Sequence, residues 1–446
     1  MFVKPFDLSG GFFSLNPDTM NPIETIYQHY IKAYKVSTDS RKIEQNAVFF
    51  ALKGENFDAN DFALQVAEEG KASLVVADRK DLPKHERILV VDDALKTLQN
   101  LAAYHRQQSK AVILSITGTN GKTTTKELIS AVLDKKYNII HTMGNLNNHI
   151  GVPLTLLTIK PETEIAVVEM GASHPGEIDF LCHIADPDYG LITNIGKAHL
   201  EGFGSFEGVI KTKTELYRHI KAHGKAVFVN QGNPLLWEQS EGQNRITYGR
   251  HCAADAPVIP GACNPYLSVG WKKYLIQTHL VGSYNFENVA AAIAVGQYFK
   301  VDENDIIAAL ETYTPTNSRS QVIDTEKNRI VMDAYNANPT SMRAALINFA
   351  NICGEQHLLI LGDMRELGSA SEEEHRNILA LMKELSYKDA MLVGQSFCTY
   401  NENADWKTFA KVEDLYQYIE THPIEGKHIL VKGSRSIQLE KVLPLL

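Results

Sequence analysis

Cysteine pairs, basic runs and long apolar stretches are absent from this 446-residue sequence, and each absence excludes a class of protein. The five cysteines are scattered and form no C-x-x-C pair, which fits neither a disulfide framework nor a zinc knuckle. The net charge is −9 and no cluster of Lys and Arg stands out, so nucleic acid is not expected as a partner. No apolar run approaches the ~18 residues that a membrane-spanning helix needs.

The remaining composition is that of a folded chain. Hydrophobic residues make up 44% and charged residues 22%, which is ordinary globular usage. The length predicts two or three domains. Residues 1–19 are rich in Gly, Pro and Phe without periodicity, so they are a candidate leader or tethered arm, and Met20 is a candidate start. We expect a cytoplasmic protein, because a reducing compartment suits the cysteines, and a monomer by default.

Short β-branched runs alternate with helical spacings along the whole chain, which predicts an α/β fold with parallel sheets. The alternation falls into three series. They predict an N-terminal domain over 1–108, a central doubly wound domain over 109–312 and a smaller nucleotide-fold domain over 313–446.

The run VILSI followed by TGTNGKTTTKELISAVL has the order strand, glycine loop and helix that a phosphate-binding loop needs. Two glycines would let the backbone approach the phosphates, Lys122 would supply a point charge, and the hydroxyl of Thr123 would reach Mg²⁺. Ile116 stands where the general eight-residue pattern has its first glycine, so this is a shorter version of the loop. An ordinary strand-to-helix turn is the alternative. The predicted ATP-binding residues are Gly118, Thr119, Asn120, Gly121, Lys122, Thr123 and Thr124.

Two further side chains are predicted at the same sheet edge. Glu169 ends a buried strand at EMGAS, where ligands of open α/β sheets collect, and it is a candidate Mg²⁺ ligand or else a helix-capping acid. His199, in NIGKAHLEGFG, is a candidate functional histidine or else a structural one. The glycines at 202, 204 and 208 do not match a dinucleotide fingerprint and predict a flexible loop.

Several longer segments together resemble the Mur ligase family. They are TGTNGKTTTKE, GNLNNHIGVPLTLL, EMGASHPGEI, NIGKAHLEGFGS and GSYNFENVAAAIA, and the likeness runs from about Asn21 to the end. The resemblance implies three domains: one for the UDP-sugar, a central P-loop ATPase and a Rossmann-like C-terminal ligase domain that closes over the site. It also implies that ATP phosphorylates the terminal carboxylate of UDP-N-acetylmuramoyl-tripeptide, and that the amine of D-alanyl-D-alanine attacks the acyl phosphate to give a peptidoglycan precursor.

The segments GNLNNHIG and DAYNANPTSM favour a family member that adds the dipeptide over a sister or folylpolyglutamate-type ligase that adds one amino acid. A nucleotide-driven switch or a small-molecule kinase is the alternative from another class. Either alternative would explain the phosphate loop but not the other predicted metal ligands.

The resemblance also implies roles for residues of the central domain. Lys122 and Thr123 would hold the β- and γ-phosphates and a first Mg²⁺, and Glu169 and His199 a second. Lys213, in KTELY, matches the family position of a CO₂-derived carbamate that would bridge toward Mg²⁺. Lys211 is the nearby rival, and an unmodified surface lysine is the third alternative. Asn288 resembles an asparagine near the adenine.

The outer domains carry the remaining implied contacts. Arg319 resembles an arginine that reaches the γ-phosphate, and Asp333 and Tyr335 resemble residues that flank the ribose and base. The other residues implied to bind the UDP-linked substrate are Thr38, Asp39, Ser40, Arg41, Asn145, Asn147 and Asn148. Three of these asparagines fall within GNLNN, where burial without a ligand would leave their amides unpaired. The segments LGDMRELG and VKGSRS lie in the closing domain, and no residue is assigned to the dipeptide.

Overall fold

The computed structural model describes residues 21–315, 319–352 and 356–446. The candidate leader, 1–19, lies outside the described residues. The chain divides into two units, Met1–His105 and Arg106–Leu446. None of the helices in the described ranges is both long enough and apolar enough to cross a membrane.

The first unit contains one parallel four-stranded sheet in the order β1-β2-β3-β4. Its strands are β1 (Val36–Ser37), β2 (Val48–Phe50), β3 (Leu74–Ala77) and β4 (Ile88–Val90). The first three helices in the described residues are α1 (Pro22–Tyr30), α2 (Ala63–Glu69) and α3 (Ala94–Gln108). Every residue of β2 and β3 is buried, as expected for a parallel sheet with both faces covered.

The second unit begins with a nine-stranded sheet in the order β13-β12-β11-β10-β9-β8-β5-β7-β6. Its strands are β5 (Val112–Thr117), β6 (Ile139–His141), β7 (Ile165–Glu169), β8 (Tyr189–Ile192), β9 (Ala226–Asn230), β10 (Arg245–Gly249), β11 (Ala256–Cys263), β12 (Tyr266–Trp271) and β13 (Tyr274–Val281). Strands β5 to β11 pair in parallel, whereas β11, β12 and β13 are antiparallel to one another. Sequence periodicity did not predict this antiparallel extension.

Nine helices accompany this sheet in the described residues. They are α4 (Lys122–Leu133), α5 (Gly151–Leu156), α6 (Glu177–Ala185), α7 (Leu200–Phe203), α8 (Phe206–Lys213), α9 (Glu215–His223), α10 (Pro234–Gln239), α11 (Phe286–Tyr298) and α12 (Glu303–Thr312). Helix α11 is Ala-rich and almost wholly buried, so it packs closely in the core beside α4 and the sheet.

A six-stranded sheet completes the second unit in the order β14-β15-β19-β16-β17-β18, parallel except for the pair β14 and β15. Its strands are β14 (Gln321–Asp324), β15 (Arg329–Met332), β16 (His357–Gly362), β17 (Ala390–Val393), β18 (Lys407–Phe409) and β19 (His428–Lys432). Its helices are α13 (Pro339–Ile352), α14 (Ser371–Glu384), α15 (Gln395–Tyr400) and α16 (Val412–Thr421). The predicted α/β fold class is confirmed.

Candidate active site

A cleft of about 610 Å³ lies in the second unit, where the carboxyl ends of strands from both sheets meet. The nine-stranded sheet contributes the turn after β5, the end of β7 and the segment after β8. The six-stranded sheet contributes the segments after β15 and β16 and the last residue of β19. Ligands of open α/β sheets bind at such edges, because helix N-termini and loops converge there.

The phosphate loop joins β5 to α4 and depends on two glycines. Gly118 has φ 143° and Gly121 has φ 77°, in the region that side chains disfavour. A Cβ atom would stand 2.0 Å from Thr193 Oγ1 at Gly118 and 2.5 Å from Asn288 Oδ1 at Gly121. Glycine is therefore required at both positions by close packing as well as by backbone conformation.

Lys122 opens α4 at the cleft wall. Its Nζ donates to the carbonyl oxygens of Gly118 at 2.7 Å and Thr119 at 3.1 Å. Burial lowers the pKa of Lys122, and the nearby Glu169 opposes that shift. A phosphate at the start of α4 would meet both this ammonium group and the unpaired N–H groups of the helix end.

Glu169, at the end of β7, is a buried carboxylate with only 1% of its surface exposed. Its Oε2 accepts a hydrogen bond from Thr123 Oγ1 at 2.8 Å, and its Oε1 accepts one from Asn147 Nδ2 at 2.8 Å. Both partners are neutral, so the carboxylate keeps its charge available to a cation. The predicted metal ligands Thr123 and Glu169 are thus in direct contact.

The asparagines of GNLNN differ in their surroundings. Asn147 bonds to Glu169, and Asn148 Oδ1 accepts from the backbone N–H groups of Ile150 and Gly151 at 3.1 and 2.9 Å. Asn145 is exposed and is absent from the cleft wall, whereas Asn147 and Asn148 line it. The expected problem of buried, unpaired amides does not arise, because these side chains are exposed or already bonded.

His199 lies at the start of α7 and meets a carboxylate from the other sheet. Its Nδ1 pairs with Glu366 Oε2, and the hydrogen bond from His199 lowers the pKa of Glu366. Both residues have left-handed backbone, with φ 50° and 63°. Non-glycine residues in that conformation concentrate at functional sites, where surrounding structure offsets the strain. Both line the cleft.

The predicted flexible loop around glycines 202, 204 and 208 is wrong, because these residues lie in or between α7 and α8. Close packing explains the glycines. A Cβ atom at Gly202 would stand 2.1 Å from Ser173 O, and one at Gly208 would stand 2.1 Å from Phe203 O.

Lys213, at the end of α8, is 2% exposed and lies behind the cleft wall. Its Nζ donates to Ala172 O at 3.4 Å and lies 5.5 Å from the ring centre of Phe203. Burial, aided by Lys122, lowers the pKa of Lys213 well below its usual value. Lys211, the rival, is exposed.

On the side of the six-stranded sheet, the cleft is lined by an arginine, Arg319, that stacks on an aromatic ring. The guanidinium of Arg319 lies 3.8 Å from the ring centre of Tyr335, and its Nε is buried with no hydrogen-bond partner among the described residues. Asp333 Oδ1 accepts from Ser320 N at 3.1 Å, and its Oδ2 accepts from Lys432 Nζ at 2.6 Å. An unpaired buried guanidinium N–H suits an anion such as phosphate.

Asn288 lies beneath the phosphate loop on α11. Its Oδ1 accepts from Thr125 Oγ1 at 3.0 Å, and its Nδ2 donates to Asn285 Oδ1 at 2.8 Å. It lines the cleft, and its amide supports the loop at Gly121.

The four residues predicted for the uridine pocket lie together in the first unit. Arg41 donates to both carboxylate oxygens of Asp39 at 2.9 Å, and this pairing lowers the pKa of Asp39 to about 2. Asp39 also caps the short 3₁₀ turn Ser40–Lys42. The side chain of Arg41 is 84% exposed.

Some side-chain contacts of the second unit were not predicted from the sequence. Asn338 and Asn120, which both line the cleft, exchange amide hydrogen bonds at 2.8 and 3.4 Å. Lys197 and Glu374 pair at 2.7 Å in a separate pocket. Glu366 and Lys432 lie in LGDMRELG and VKGSRS, which were singled out without a residue being assigned. The clustering of charge in those segments was the only available signal.

The predicted Mg²⁺ ligands include few acidic or histidine side chains. Across the described residues, no group of three or more His, Cys, Asp or Glu side chains could hold a metal ion. The predicted ligands include only two side chains of these types, Glu169 and His199, together with the Thr123 hydroxyl and a modified lysine. The buried Glu169 oxygens beside the Thr123 hydroxyl are hard donors of the kind that Mg²⁺ prefers.

Comparison with known proteins places these features in one family. Residues 116–296 match the Mur ligase middle domain, and residues 318–435 match the Mur ligase, glutamate ligase domain. The UDP-N-acetylmuramoyl-tripeptide--D-alanyl-D-alanine ligase of Bacillus subtilis is 36% identical, and the match covers 92% of each chain.

Solved structures agree with the sequence matches. A crystal structure of MurF from Acinetobacter baumannii superposes with a TM-score of 0.83 at 31% identity and covers 95% of this chain and 97% of that one. MurF ligase from Thermotoga maritima in complex with ADP superposes with a TM-score of 0.80 at 26% identity, over 92% and 96% of the two chains. The chain therefore belongs to the Mur ligase family.

Proposed function

We propose that this chain is an ATP-dependent ligase that joins D-alanyl-D-alanine to UDP-N-acetylmuramoyl-tripeptide. One observation carries the proposal. The phosphate loop, the buried carboxylate Glu169 and Arg319, whose Nε has no partner among the described residues, line a single cleft. The near-full-length relatives of this chain bear that ligase's name.

The chemistry explains why phosphate binding and amide formation share a cleft. A carboxylate is a poor electrophile, so its oxygen first attacks the γ-phosphorus of ATP, releasing ADP and forming an acyl phosphate. The amine of the dipeptide then attacks the acyl carbon, the C–O bond to phosphate breaks, and the amine loses a proton. Lys122 and Arg319, from opposite halves of the cleft, would stabilise the transferred phosphoryl group.

Mg²⁺ is part of the proposal. The residues that would hold it are Thr123, Glu169 and His199, with Lys213 as a carbamate. When bound, Mg²⁺ offsets the charge where two anions must meet. Asn288, Asp333 and Tyr335 are proposed to contact the nucleotide, and Asn145, Asn147 and Asn148 the muramoyl-peptide.

The domain bounds, the oligomeric state and the cellular location are also proposals. We propose domains over 1–108, 109–312 and 313–446, a monomer and a cytoplasmic location. The two sheets of the second unit support the division near 312.

The deciding experiment measures phosphate release from ATP and Mg²⁺ with each substrate present or omitted, together with product mass. We expect release that requires both the UDP-linked tripeptide and the dipeptide, with the pentapeptide mass appearing. Release with a single amino acid instead of the dipeptide would identify a sister ligase. Release indifferent to both substrates would identify a nucleotide switch.

The carbamate on Lys213 has its own test. A neutral amine attacks CO₂, and the burial that lowers the pKa of Lys213 favours the neutral form. We expect ¹³C-bicarbonate to give a carbamate resonance in the wild type and in Lys211→Met, but none in Lys213→Met. The resonance should weaken as the pH falls through the amine pKa, because protonation removes the nucleophile. Equal resonances in all three proteins would exclude Lys213.

Arg41 is predicted to bind the diphosphate of the UDP-linked substrate. A charge-assisted hydrogen bond contributes about 1.5–3 kcal/mol, so Arg41→Ala should raise the KM for that substrate by roughly 10- to 100-fold and leave the KM for ATP near wild type. Lys42→Ala, in the same exposed turn, is the control. An unchanged KM in Arg41→Ala would move the uridine pocket elsewhere.

A further inference from the structure

Lys126 is a buried cation that the proposed phosphate chemistry does not use. It lies one turn after Lys122 on α4, is 1% exposed and does not line the cleft. Burying an ammonium group is costly unless it is paired, and burial lowers the pKa of Lys126. The nearest carboxylate is Glu127 Oε1 at 3.7 Å, and Glu169 also opposes the shift. A methionine would fill the same space without this cost, so the amino group needs an explanation.

The amino group holds the residue that follows β6. Lys126 Nζ donates to the backbone oxygen of Thr142 at 2.7 Å, and Thr142 is fully buried. Thr142 also joins β7 in two places. Its N–H donates to Val167 O at 3.0 Å, and its Oγ1 accepts from Glu169 N at 2.9 Å. Lys126 therefore connects the phosphate-binding helix to the strand that carries Glu169, through a single buried threonine.

Thr142 is also the last buried residue before the asparagine-rich loop, 143–150. Within this loop Met143 is 65% exposed and Leu146 is 40% exposed, although both are apolar. The loop is held again at Asn147, whose Nδ2 bonds to Glu169 and whose backbone oxygen accepts from Gly171 N at 2.7 Å. Lys126 thus anchors the start of the loop, and Asn147 anchors its middle.

We propose that Lys126 is a positioning residue that fixes the asparagine-rich loop against the phosphate-binding helix, so that binding of the muramoyl-peptide depends on it. Lys126 itself contacts neither substrate. This inference rests on the proposed function, because it assigns the loop to that substrate. The amino group is retained in the interior because an apolar side chain would leave the Thr142 carbonyl without its donor.

The test uses Lys126→Met, which keeps the length of the side chain and removes the amino group. We expect the KM for UDP-N-acetylmuramoyl-tripeptide to rise about tenfold, while the KM for ATP and the half-saturating Mg²⁺ concentration stay within about threefold of wild type. Lys126→Arg, which keeps a charged donor, should recover part of the loss. A purely structural role would lower the melting temperature and leave both KM values unchanged.

A double-mutant cycle checks that the effect passes through the loop. Lys126→Met and Asn147→Ala should raise the KM less together than the product of their separate effects, because each releases an anchor of one loop. Multiplicative effects, or a change confined to ATP or Mg²⁺, would overturn the proposal. If Lys126→Met does not fold, Lys126→Leu, which also has no hydrogen-bond donor, takes its place in every measurement. Absence of pentapeptide with the wild type would refute the proposed function, whereas an active wild type with unchanged KM in the variants refutes only this inference.

Discussion

Replacing Lys122 with alanine is expected to reduce ligase turnover by about 10³-fold or more while the protein remains folded. The Lys122 ammonium group lies at the start of α4, within 3.1 Å of two carbonyl oxygens of the phosphate loop. No other described lysine lines the cleft on that side, so the variant has no replacement for the charge. Steady-state turnover with saturating ATP measures the loss.

Lys135→Ala is the matched control for this prediction, because Lys135 is exposed just beyond the end of α4. It should have wild-type turnover. Circular dichroism and thermal melting establish that both variants are folded. Turnover of Lys122→Ala within about tenfold of wild type would remove the phosphate loop from the mechanism.

Glu169→Gln is expected to cause the second large loss, of about 100-fold or more in turnover. Glutamine keeps the shape of the side chain and its oxygen can still accept from Thr123, but the negative charge that would attract Mg²⁺ is gone. The Mg²⁺ concentration needed for half-maximal rate should rise, and Mn²⁺ binding in the presence of ATP, followed by electron paramagnetic resonance, should weaken.

Glu162→Gln serves as the control, because Glu162 is exposed on the turn before β7. It should bind Mn²⁺ as the wild type does. If Glu169→Gln also keeps the wild-type Mg²⁺ dependence and Mn²⁺ affinity, Glu169 is not a metal ligand, and its contacts with Thr123 and Asn147 would be its whole role.

The features of this fold that the sequence predicts are the local ones. Strand β5 contains the predicted run VILSI, because an apolar β-branched stretch before a glycine loop is buried on both faces. Strands β11 to β13 escaped notice, since alternation in a half-exposed hairpin is interrupted by Pro260 and Gly261. The flexible loop predicted at glycines 202 and 208 was wrong for another reason. Their role is to admit a neighbouring carbonyl oxygen, and composition alone cannot distinguish this from flexibility.

The residues of the candidate site also fall into two groups, those that the sequence predicted and those that it did not. Residues 119–124, Glu169 and His199 were predicted from motifs and do line one cleft. Glu366 and Lys432 were not assigned, because their partners, His199 and Asp333, are 167 and 99 residues away in the chain. No periodicity or short motif reports a pairing at such a distance.

By itself, the amino-acid sequence determined the phosphate loop, because Gly118, Gly121, Lys122 and Thr123 fall within six consecutive residues and their backbone conformation is local. It also determined the α/β alternation, since burial of a parallel sheet imposes its own hydrophobic pattern. Only the tertiary structure decided that Lys213 is buried while Lys211 is exposed, and that Lys126 reaches Thr142. These outcomes depend on which helix face meets which strand end, and that is set by packing between segments distant in the chain.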